Sequence, residues 1–257
     1  MTYEDPSGLF SVRGKSALVT GAAKGVGALI AQALVEAGAT VYLTSRDMAA
    51  AEKTAARLSL LGDCVPLAGA LATEDDCRAL ADRLGEHVDQ LHLLVNNAAV
   101  LHTAPLDDFD DAAWDSALQV NLKAVFHLVK FLRPLLESAA VAGDPARVVN
   151  IGSVDGLHVP SAEIYSYAAS KAAMHHMTRH LAGRLAPRIA VNAIALGPFE
   201  SDMLQESLAA EIGLSSPMRR PGGLDDLAGI IQFLGSRSSA FLTGTVIPFD
   251  GGLSITR

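Results

Sequence analysis

The stretch S-A-L-V-T-G-A-A-K-G-V-G, residues 16–27, decides the fold class of this 257-residue chain. A short apolar run ends in a glycine-rich turn, and the helix formers of residues 28–37 follow until Gly38 stops them. Glycines permit a tight turn and a close approach to a phosphate, while the helix N-terminus offers free N–H groups to an anion. This order of strand, turn and helix predicts a dinucleotide-binding unit. The residues expected around the pyrophosphate are Gly21, Gly25, Val26 and Gly27.

The alternation of short apolar runs with helical stretches continues along the chain. Strands are expected at residues 16–20, 40–46, 64–67, 91–97, 147–153, 188–195 and 245–249. Helices are expected at residues 28–37, 48–60, 74–85, 112–136, around 167–185 and 224–234. Pro134 is expected to kink or break the longest of them near its end. The pattern predicts an α/β fold of Rossmann type, with a doubly wound, seven-stranded parallel sheet in a three-layer α/β/α arrangement. Residues 1–257 are expected to form a single domain.

Composition excludes several classes of function. Hydrophobic residues make up 50% and charged residues 19%, which suits a sizeable core and argues against disorder. The net charge of -8 gives no basic footprint for nucleic acid or an anionic membrane. No apolar run reaches membrane-spanning length, and the polar N-terminus does not resemble a signal peptide. Cys64 and Cys77 show no metal-ligand spacing, so we expect reduced thiols in a cytoplasmic protein.

The end of the second strand indicates which dinucleotide is bound. Units that prefer NAD usually carry an acidic residue there for the ribose 2′-hydroxyl. This chain has Ser45 and Arg46 at that place, and Lys24 lies in the glycine turn. Two cations where an acid is expected favour a 2′-phosphate, hence NADP(H), unless both are solvated surface charges. Asp47 could reach a ribose hydroxyl, although we expect it to open the next helix.

The stretch from Ser153 to Lys171 carries the groups best suited to chemistry. Tyr167 and Lys171 are four residues apart, so on a helix their side chains share one face. A neighbouring ammonium lowers the pKa of a phenol, and such a pair can exchange a proton with a substrate oxygen. Ser153 follows an apolar run and could hold the same oxygen from another side. The alternative is an ordinary surface helix that happens to carry both residues.

Several other residues allow both a functional and a structural interpretation. Asn121 lies within a predicted helix, where asparagine is unfavourable, so a polar function is suspected. His176 and His180 are four apart but lack a nearby acidic residue or cysteine, and no metal site is expected. Tyr165 cannot share the helical face of Tyr167, and it either lines the substrate pocket or is structural. Residues 196–218 are expected to form a mobile lid over the substrate. Substrate contacts are expected from Ser153, Tyr165, Phe199 and Met203.

These motifs together resemble the short-chain dehydrogenase/reductase family over about residues 9–252. They are T-G-A-A-K-G-V-G at 20–27, N-N-A-A at 96–99, Asn121, Ser153, Y-A-A-S-K at 167–171 and D-G-G at 250–252. The closer likeness is to the rhamnolipid-type 3-oxoacyl-acyl-carrier-protein reductases, and stretches 55–64, 146–154 and 243–252 carry it.

The resemblance implies roles for the matching positions. Tyr167 would be the general acid in reduction, Ser153 would polarise the carbonyl, and Lys171 would lower the tyrosine pKa and bind the nicotinamide ribose. Asn121 would hold a water that relays protons to Lys171. Cofactor contacts would come from Gly21, Lys24, Gly25, Val26, Gly27, Ser45, Arg46, Asn97, Ala98, Tyr167, Lys171 and Gly197.

The resemblance also implies a substrate and an assembly. The first expectation is an NADP(H)-dependent reductase of a 3-oxoacyl thioester on coenzyme A or acyl carrier protein, acting as a homotetramer. The alternatives are a reductase of a sugar acid, polyol or other small ketone, or an NADP-binding sensor without turnover. Residues 137–144 contain no Lys or Arg to meet an acidic carrier protein, and Arg188 remains on a plausible docking face.

Overall fold

In the computed structural model, which describes residues 6–199, 214 and 216–255, seven strands form one parallel sheet. The strands are β1 (Ser16–Thr20), β2 (Thr40–Ser45), β3 (Cys64–Ala68), β4 (Leu93–Asn96), β5 (Ala146–Ser153), β6 (Ile189–Leu196) and β7 (Val246–Phe249). They lie in the order β3-β2-β1-β4-β5-β6-β7. The strand order reverses direction between β1 and β4, and open α/β sheets bind ligands at the carboxyl ends of the strands there.

The helices join consecutive strands and cover both faces of the sheet. They are α1 (Pro6–Leu9), α2 (Gly25–Glu36), α3 (Met48–Leu58), α4 (Glu74–Gly85), α5 (Asp111–Leu118), α6 (Ala124–Ala139), α7 (Tyr165–Leu185) and α8 (Leu224–Gly235). The expected fold class is therefore confirmed. None of these helices within the described residues is long and apolar enough to cross a membrane.

Alternating side chains of the strands divide the core into two layers. Along β1, Val19 packs with the buried faces of α2, α3 and α8, whereas Leu18 packs with α4 and α6 on the other side. This period of two is the ordinary consequence of a pleated strand that is buried on both faces. The two cysteines follow the same division, because Cys64 lies in the first layer and Cys77 in the second, and both are free thiols.

The longest predicted helix differs from its expected form. It begins at Asp111 and ends at Ala139, and residues Gln119–Lys123 form a π turn within it. Pro134 does not end the helix, because Leu136 and Ala139 beyond it are buried against the core and hold the last turn in place. The expected break at Pro134 is therefore wrong. Tertiary packing here outweighs the loss of one backbone hydrogen bond.

Two further boundaries affect the site. Helix α2 begins at Gly25 rather than at residue 28, so the last glycines of the turn already belong to its first turn. Strand β6 extends to Leu196, which is buried and paired with Phe249 of β7. The expected lid therefore cannot begin at residue 196. Most of that lid, residues 200–213 and 215, lies outside the described residues.

Candidate active site

Strand β5 delivers Ser153 to the carboxyl edge of the sheet. All eight residues of β5 are buried, and Ser153 is its last residue. The hydroxyl of Ser153 then caps the short turn Val154–Gly156 by accepting a hydrogen bond from the Asp155 N–H at 3.2 Å. A strand end fixed in this way holds the hydroxyl in a defined position.

Helix α7 places Tyr167 and Lys171 beside that hydroxyl, one helical turn apart. The Lys171 ammonium donates to the Ile151 carbonyl of β5 at 2.7 Å and lies 5.5 Å from the centre of the Tyr167 ring. The Tyr167 hydroxyl lies near enough to the Ser153 hydroxyl for its pKa to be affected by it. The three side chains predicted to act together are therefore neighbours in space.

The protonation of this cluster differs from the expectation. Burial raises the pKa of Tyr167 to about 12; the nearby Ser153 hydroxyl opposes this rise and the charge of Asp155 adds to it. Burial lowers the pKa of Lys171 to about 8. The expected lowering of the tyrosine pKa is thus not found, because the desolvation of the phenol is the largest effect on it. Tyr167 is held as a protonated phenol at neutral pH.

Asn121 lies in the π turn and is buried. Its side-chain oxygen accepts from the Val100 N–H at 2.8 Å, and its amide donates to the Val100 carbonyl at 3.0 Å and to the Ser170 hydroxyl at 2.9 Å. The suspected polar function is therefore to tie the loop after β4 to helix α7. Both amide hydrogens are used, so Asn121 could hold a water only through the second lone pair of its side-chain oxygen or through its backbone.

His175 is a buried residue of this site that the sequence argument missed. Its ring packs against Gly152 and Gly156, so a methyl group at either glycine would collide with it or with α7. Burial lowers the pKa of His175 to about 4, and the charge of Lys171 adds to the shift. The ring is neutral and packs behind the strand end that carries Ser153. Its position one turn after Lys171 was the available signal.

The glycine turn lies at the point where the strand order reverses. Gly21 and Gly25 have φ angles of 64° and 58°, which favour glycine. A side chain at Gly21 would lie 2.8 Å from the Ala98 Cα. The Asn97 amide donates to the carbonyls of Thr20 and Gly21 at 2.9 and 3.1 Å, and so fixes the turn to the end of β4.

The N-terminus of helix α2 lies at this turn and offers its N–H groups to a ligand. Its N-cap is Lys24, whose side chain caps none of the helical N–H groups. Val26 is partly buried against the core and Gly27 is buried, and a side chain at Gly27 would lie 2.6 Å from the Gly21 carbonyl. A close backbone cradle with uncapped N–H groups fits a pyrophosphate. The residues present therefore fit the expected dinucleotide.

The end of β2 carries the expected cation. Arg46 is exposed, and within the described residues its side chain and that of Lys24 have no hydrogen-bond or ion-pair partner. Asp47 caps α3 by accepting from the Ala50 N–H at 3.1 Å, and its own N–H donates to the Ser45 hydroxyl at 3.1 Å. The expectation that Asp47 opens the helix is confirmed, which leaves the two cations without a competing partner.

The expected substrate residue Phe199 packs against other side chains of the protein. Phe199 is a buried core residue that stacks on Phe249 at 6.0 Å and fills the space beside Gly222. These contacts give the ring a structural role, and its contact with substrate stays a prediction. Met203 lies outside the described residues. Gly197 follows β6, where a side chain would lie 2.6 Å from the Asp250 Cα.

Tyr165 begins α7 and faces away from the cluster. Its ring meets the edge of Phe109 at 5.4 Å, and its hydroxyl donates to the Glu163 carboxylate at 3.1 Å. None of its described contacts is with Ser153, Tyr167 or Lys171. Of the two interpretations left open from the sequence, these contacts favour the structural one.

The fold and this site define a class of protein, the Rossmann-type oxidoreductases. Within that class, the profile of the short chain dehydrogenases matches residues 15–212, and the chain belongs to this family.

Relatives of the chain match it over nearly their whole length. It is 42% identical to a rhamnolipids biosynthesis 3-oxoacyl-[acyl-carrier-protein] reductase of Pseudomonas aeruginosa, over 96% of this chain and 98% of that protein. The structure of a Pseudomonas aeruginosa RhlG/NADP active-site complex is 41% identical, with a TM-score of 0.92 over 96% of this chain and 99% of the other. A gluconate 5-dehydrogenase of Burkholderia cenocepacia, in complex with NADP and tartrate, is 29% identical, with a TM-score of 0.87 over 96% and 98%.

Proposed function

We propose that the protein reduces the 3-oxo group of an acyl thioester with NADPH. The observation that carries the proposal is the cluster of Ser153, Tyr167 and Lys171 at the carboxyl edge of the sheet. The 42% identity to a 3-oxoacyl reductase over nearly both chains supports the choice of substrate.

The residues that would hold the cofactor follow from the geometry of the glycine turn. Gly21, Gly25, Val26 and Gly27 would hold the pyrophosphate against the N–H groups of α2, and Lys24, Ser45 and Arg46 would hold the 2′-phosphate. Asn97 and Ala98 would line the adenosine side, and Gly197 the nicotinamide side. The bound nicotinamide supplies the hydride.

The side chains of this chain manage the proton and the developing charge. The Ser153 and Tyr167 hydroxyls would hold the carbonyl oxygen, and the Tyr167 phenol would give its proton to that oxygen as the hydride reaches the carbon. A tyrosine pKa of about 12 keeps the phenol protonated at neutral pH, which is the form that can act as the general acid in reduction. Lys171 donates only to Ile151 within the described residues, so further ammonium donors can reach the nicotinamide ribose. A proton relay through a water on Asn121 remains part of the proposal.

Replacement of Tyr167 by Phe tests the chemistry. We expect Tyr167→Phe to lower the rate of NADPH oxidation with acetoacetyl-CoA by about 10³-fold, because general acid catalysis is lost, while NADPH still binds. Tyr42→Phe is the matched control, since Tyr42 is buried in the core beside His87 and should retain turnover. Unchanged turnover in Tyr167→Phe would remove that residue from the mechanism.

The same assay tests the substrate class. The 3-oxoacyl thioesters of coenzyme A and of acyl carrier protein would be compared with sugar acids that carry a keto group and with small ketones. Activity on sugar acids alone would keep the reaction but discard the thioester. A faster reaction with the carrier-protein thioester would indicate docking, for which exposed Arg188 is available although its guanidinium also donates to the Glu137 carbonyl.

We also propose a cytoplasmic homotetramer built from single-domain subunits. A groove between α6 and α7 is lined largely by apolar side chains, among them partly exposed Phe126, and Phe241 before the edge strand β7 is fully exposed. Two such surfaces on different sides suit the two self-complementary interfaces of a tetramer with dihedral symmetry. Sedimentation of a monomer would contradict this assembly.

A further inference from the structure

Asp155 lies two residues after Ser153 and is bound directly to it. The Ser153 hydroxyl donates to the Asp155 carboxylate at 3.0 Å and accepts from the Asp155 N–H at 3.2 Å. Both residues lie in the turn Val154–Gly156 and its cap, which follows β5 without a break. The short turn and the hydrogen bond to Ser153 therefore hold the carboxylate at the edge of the site.

The Ser153 hydroxyl has one proton, and it donates this proton in the hydrogen bond to the Asp155 carboxylate. A hydroxyl donates one hydrogen bond only, so Ser153 must turn from Asp155 before it can donate to a carbonyl oxygen. The negative charge of Asp155 lies one hydrogen bond beyond the hydroxyl that would hold the reacting oxygen. The charge of Asp155 also acts on Tyr167. Burial raises the pKa of Tyr167 most, and this charge raises it further.

No described cation neutralises Asp155. Within residues 6–199, 214 and 216–255, no Lys, Arg or His nitrogen lies within ion-pair distance of its carboxylate. Lys171, the buried cation of the site, donates to the Ile151 carbonyl instead. Asp155 is half-buried, where water screens a charge less than on an open surface.

We propose that Asp155 is a specificity residue, whose charge beside Ser153 selects a neutral 3-oxo ester or thioester over the free 3-oxo acid. The inference rests on the proposed function, because it needs Ser153 and Tyr167 to hold the carbonyl oxygen. In a 3-oxo acid the carboxylate is two carbons from that carbonyl, so binding would bring two negative charges together across a few ångströms. In an ester or thioester the same position is uncharged.

A pair of small substrates that differ only in this charge tests the proposal. Ethyl acetoacetate and acetoacetate share the reacting carbonyl, and neither carries a coenzyme A or carrier-protein group. We expect the ratio of kcat/KM for the ester to that for the acid to fall at least tenfold in Asp155→Asn, mainly through a lower KM for acetoacetate. Asn keeps an oxygen acceptor for the Ser153 hydroxyl, and Asp155→Glu, which retains the charge, should keep the wild-type preference.

Asp82→Asn is the matched control, because it removes the same charge from an exposed position on α4 and should leave the ratio unchanged. An equal loss for both substrates in Asp155→Asn would show that Asp155 only supports Ser153, and would overturn the proposal. So would an unchanged ratio. If the ester is turned over but no thioester is, the proposed thioester substrate is discarded, and the selection by charge is still measured. A wild-type protein that is inactive on both ethyl acetoacetate and acetoacetate would overturn the proposed function and the role of Asp155 together.

Discussion

Strand β5 links two buried cations whose surroundings differ. At its amino end, Arg147 is 1% exposed and donates to the Asp144 carboxylate, to the Pro145 carbonyl and to the Ser236 carbonyl, the last at 2.7 Å. At its carboxyl end, Lys171 is 3% exposed and donates to the Ile151 carbonyl alone among the described residues. Both cations avoid water, but only Arg147 has a carboxylate for a partner.

This difference distinguishes a cation that stabilises the fold from a cation that is available for binding or catalysis. Burial lowers the pKa of Arg147, and the Asp144 carboxylate opposes that change, so the guanidinium stays charged and joins β5 to the end of α8. Lys171 has no such partner, and its pKa falls to about 8. A buried ammonium with unused donors destabilises the fold, which is the expected mark of a group kept for binding or catalysis.

Replacement of Lys171 should have the largest effect and act oppositely on activity and stability. In Lys171→Met we expect turnover to fall by roughly 10²- to 10⁴-fold, because the ammonium no longer assists Tyr167 or binds the ribose. The free energy of unfolding at pH 7 should rise by about 1–2 kcal/mol, because the cost of burying a charge is removed and only one hydrogen bond is lost. Lys53→Met, on the exposed face of α3, should change neither quantity.

The same variant has a pH signature. The folded pKa of Lys171, about 8, lies below its ordinary value of 10.5. Between these values the unfolded chain binds more protons, so this group makes the unfolding free energy of the wild type rise with pH from about 8 to 10. The raised pKa values of Cys64 and Cys77, about 11, act in the other direction above pH 9, and that of Tyr167 does so above pH 10. Denaturant unfolding at several pH values should therefore show that the free energy of unfolding of the wild type rises relative to that of Lys171→Met between pH 8 and 10. A variant less stable than the wild type at pH 7 would make Lys171 a structural cation.

Replacement of Arg147 should destabilise the fold and spare the chemistry. We expect Arg147→Met to lower the free energy of unfolding by about 2–4 kcal/mol, because the buried Ser236 carbonyl loses its donor and Asp144 loses a partner. Turnover per folded molecule should not change, since this cluster lies at the opposite edge of the sheet. Arg133→Met is the matched control: its exposed pair with Glu137 should contribute at most about 0.5 kcal/mol. Equal stability of the two variants would refute the structural role of Arg147.

The sequence was sufficient for the features that local patterns determine. The glycine turn, the buried strands and the end at which Ser153 emerges all follow from short-range rules, and so does the helix at 74–85, whose capping box begins at Thr73. The spacing of Tyr167 and Lys171 likewise indicated that they share a helical face. Each of these predictions needed only a few neighbouring residues.

Features that depend on tertiary contacts could not be predicted in this way. Asn121 signalled a conflict with the helix, but the π turn follows from its bonds to Val100 and Ser170. Phe199 follows a strand as a substrate residue could, yet Phe249 determines where its ring lies. The pKa of Tyr167 depends on its burial, which the neighbouring lysine does not reveal. Asp155 was missed although a local signal was present, because a Ser and an Asp two residues apart after a strand indicate a turn.

Arg46 provides a third, exposed cation and the smallest expected effect. Unlike Arg147 it has no partner in the described chain, and unlike Lys171 it is solvated, so its removal should cost no stability. We expect Arg46→Ala to weaken NADPH binding about ten- to hundredfold and NADH binding by less than about twofold, because only NADPH carries the 2′-phosphate that a guanidinium binds. Titration of cofactor fluorescence would measure both dissociation constants, with Arg184→Ala on the last turn of α7 as the control for loss of charge. Equal losses for the two cofactors would show that Arg46 does not recognise the 2′-phosphate and would leave Lys24, the cation of the glycine turn, to test.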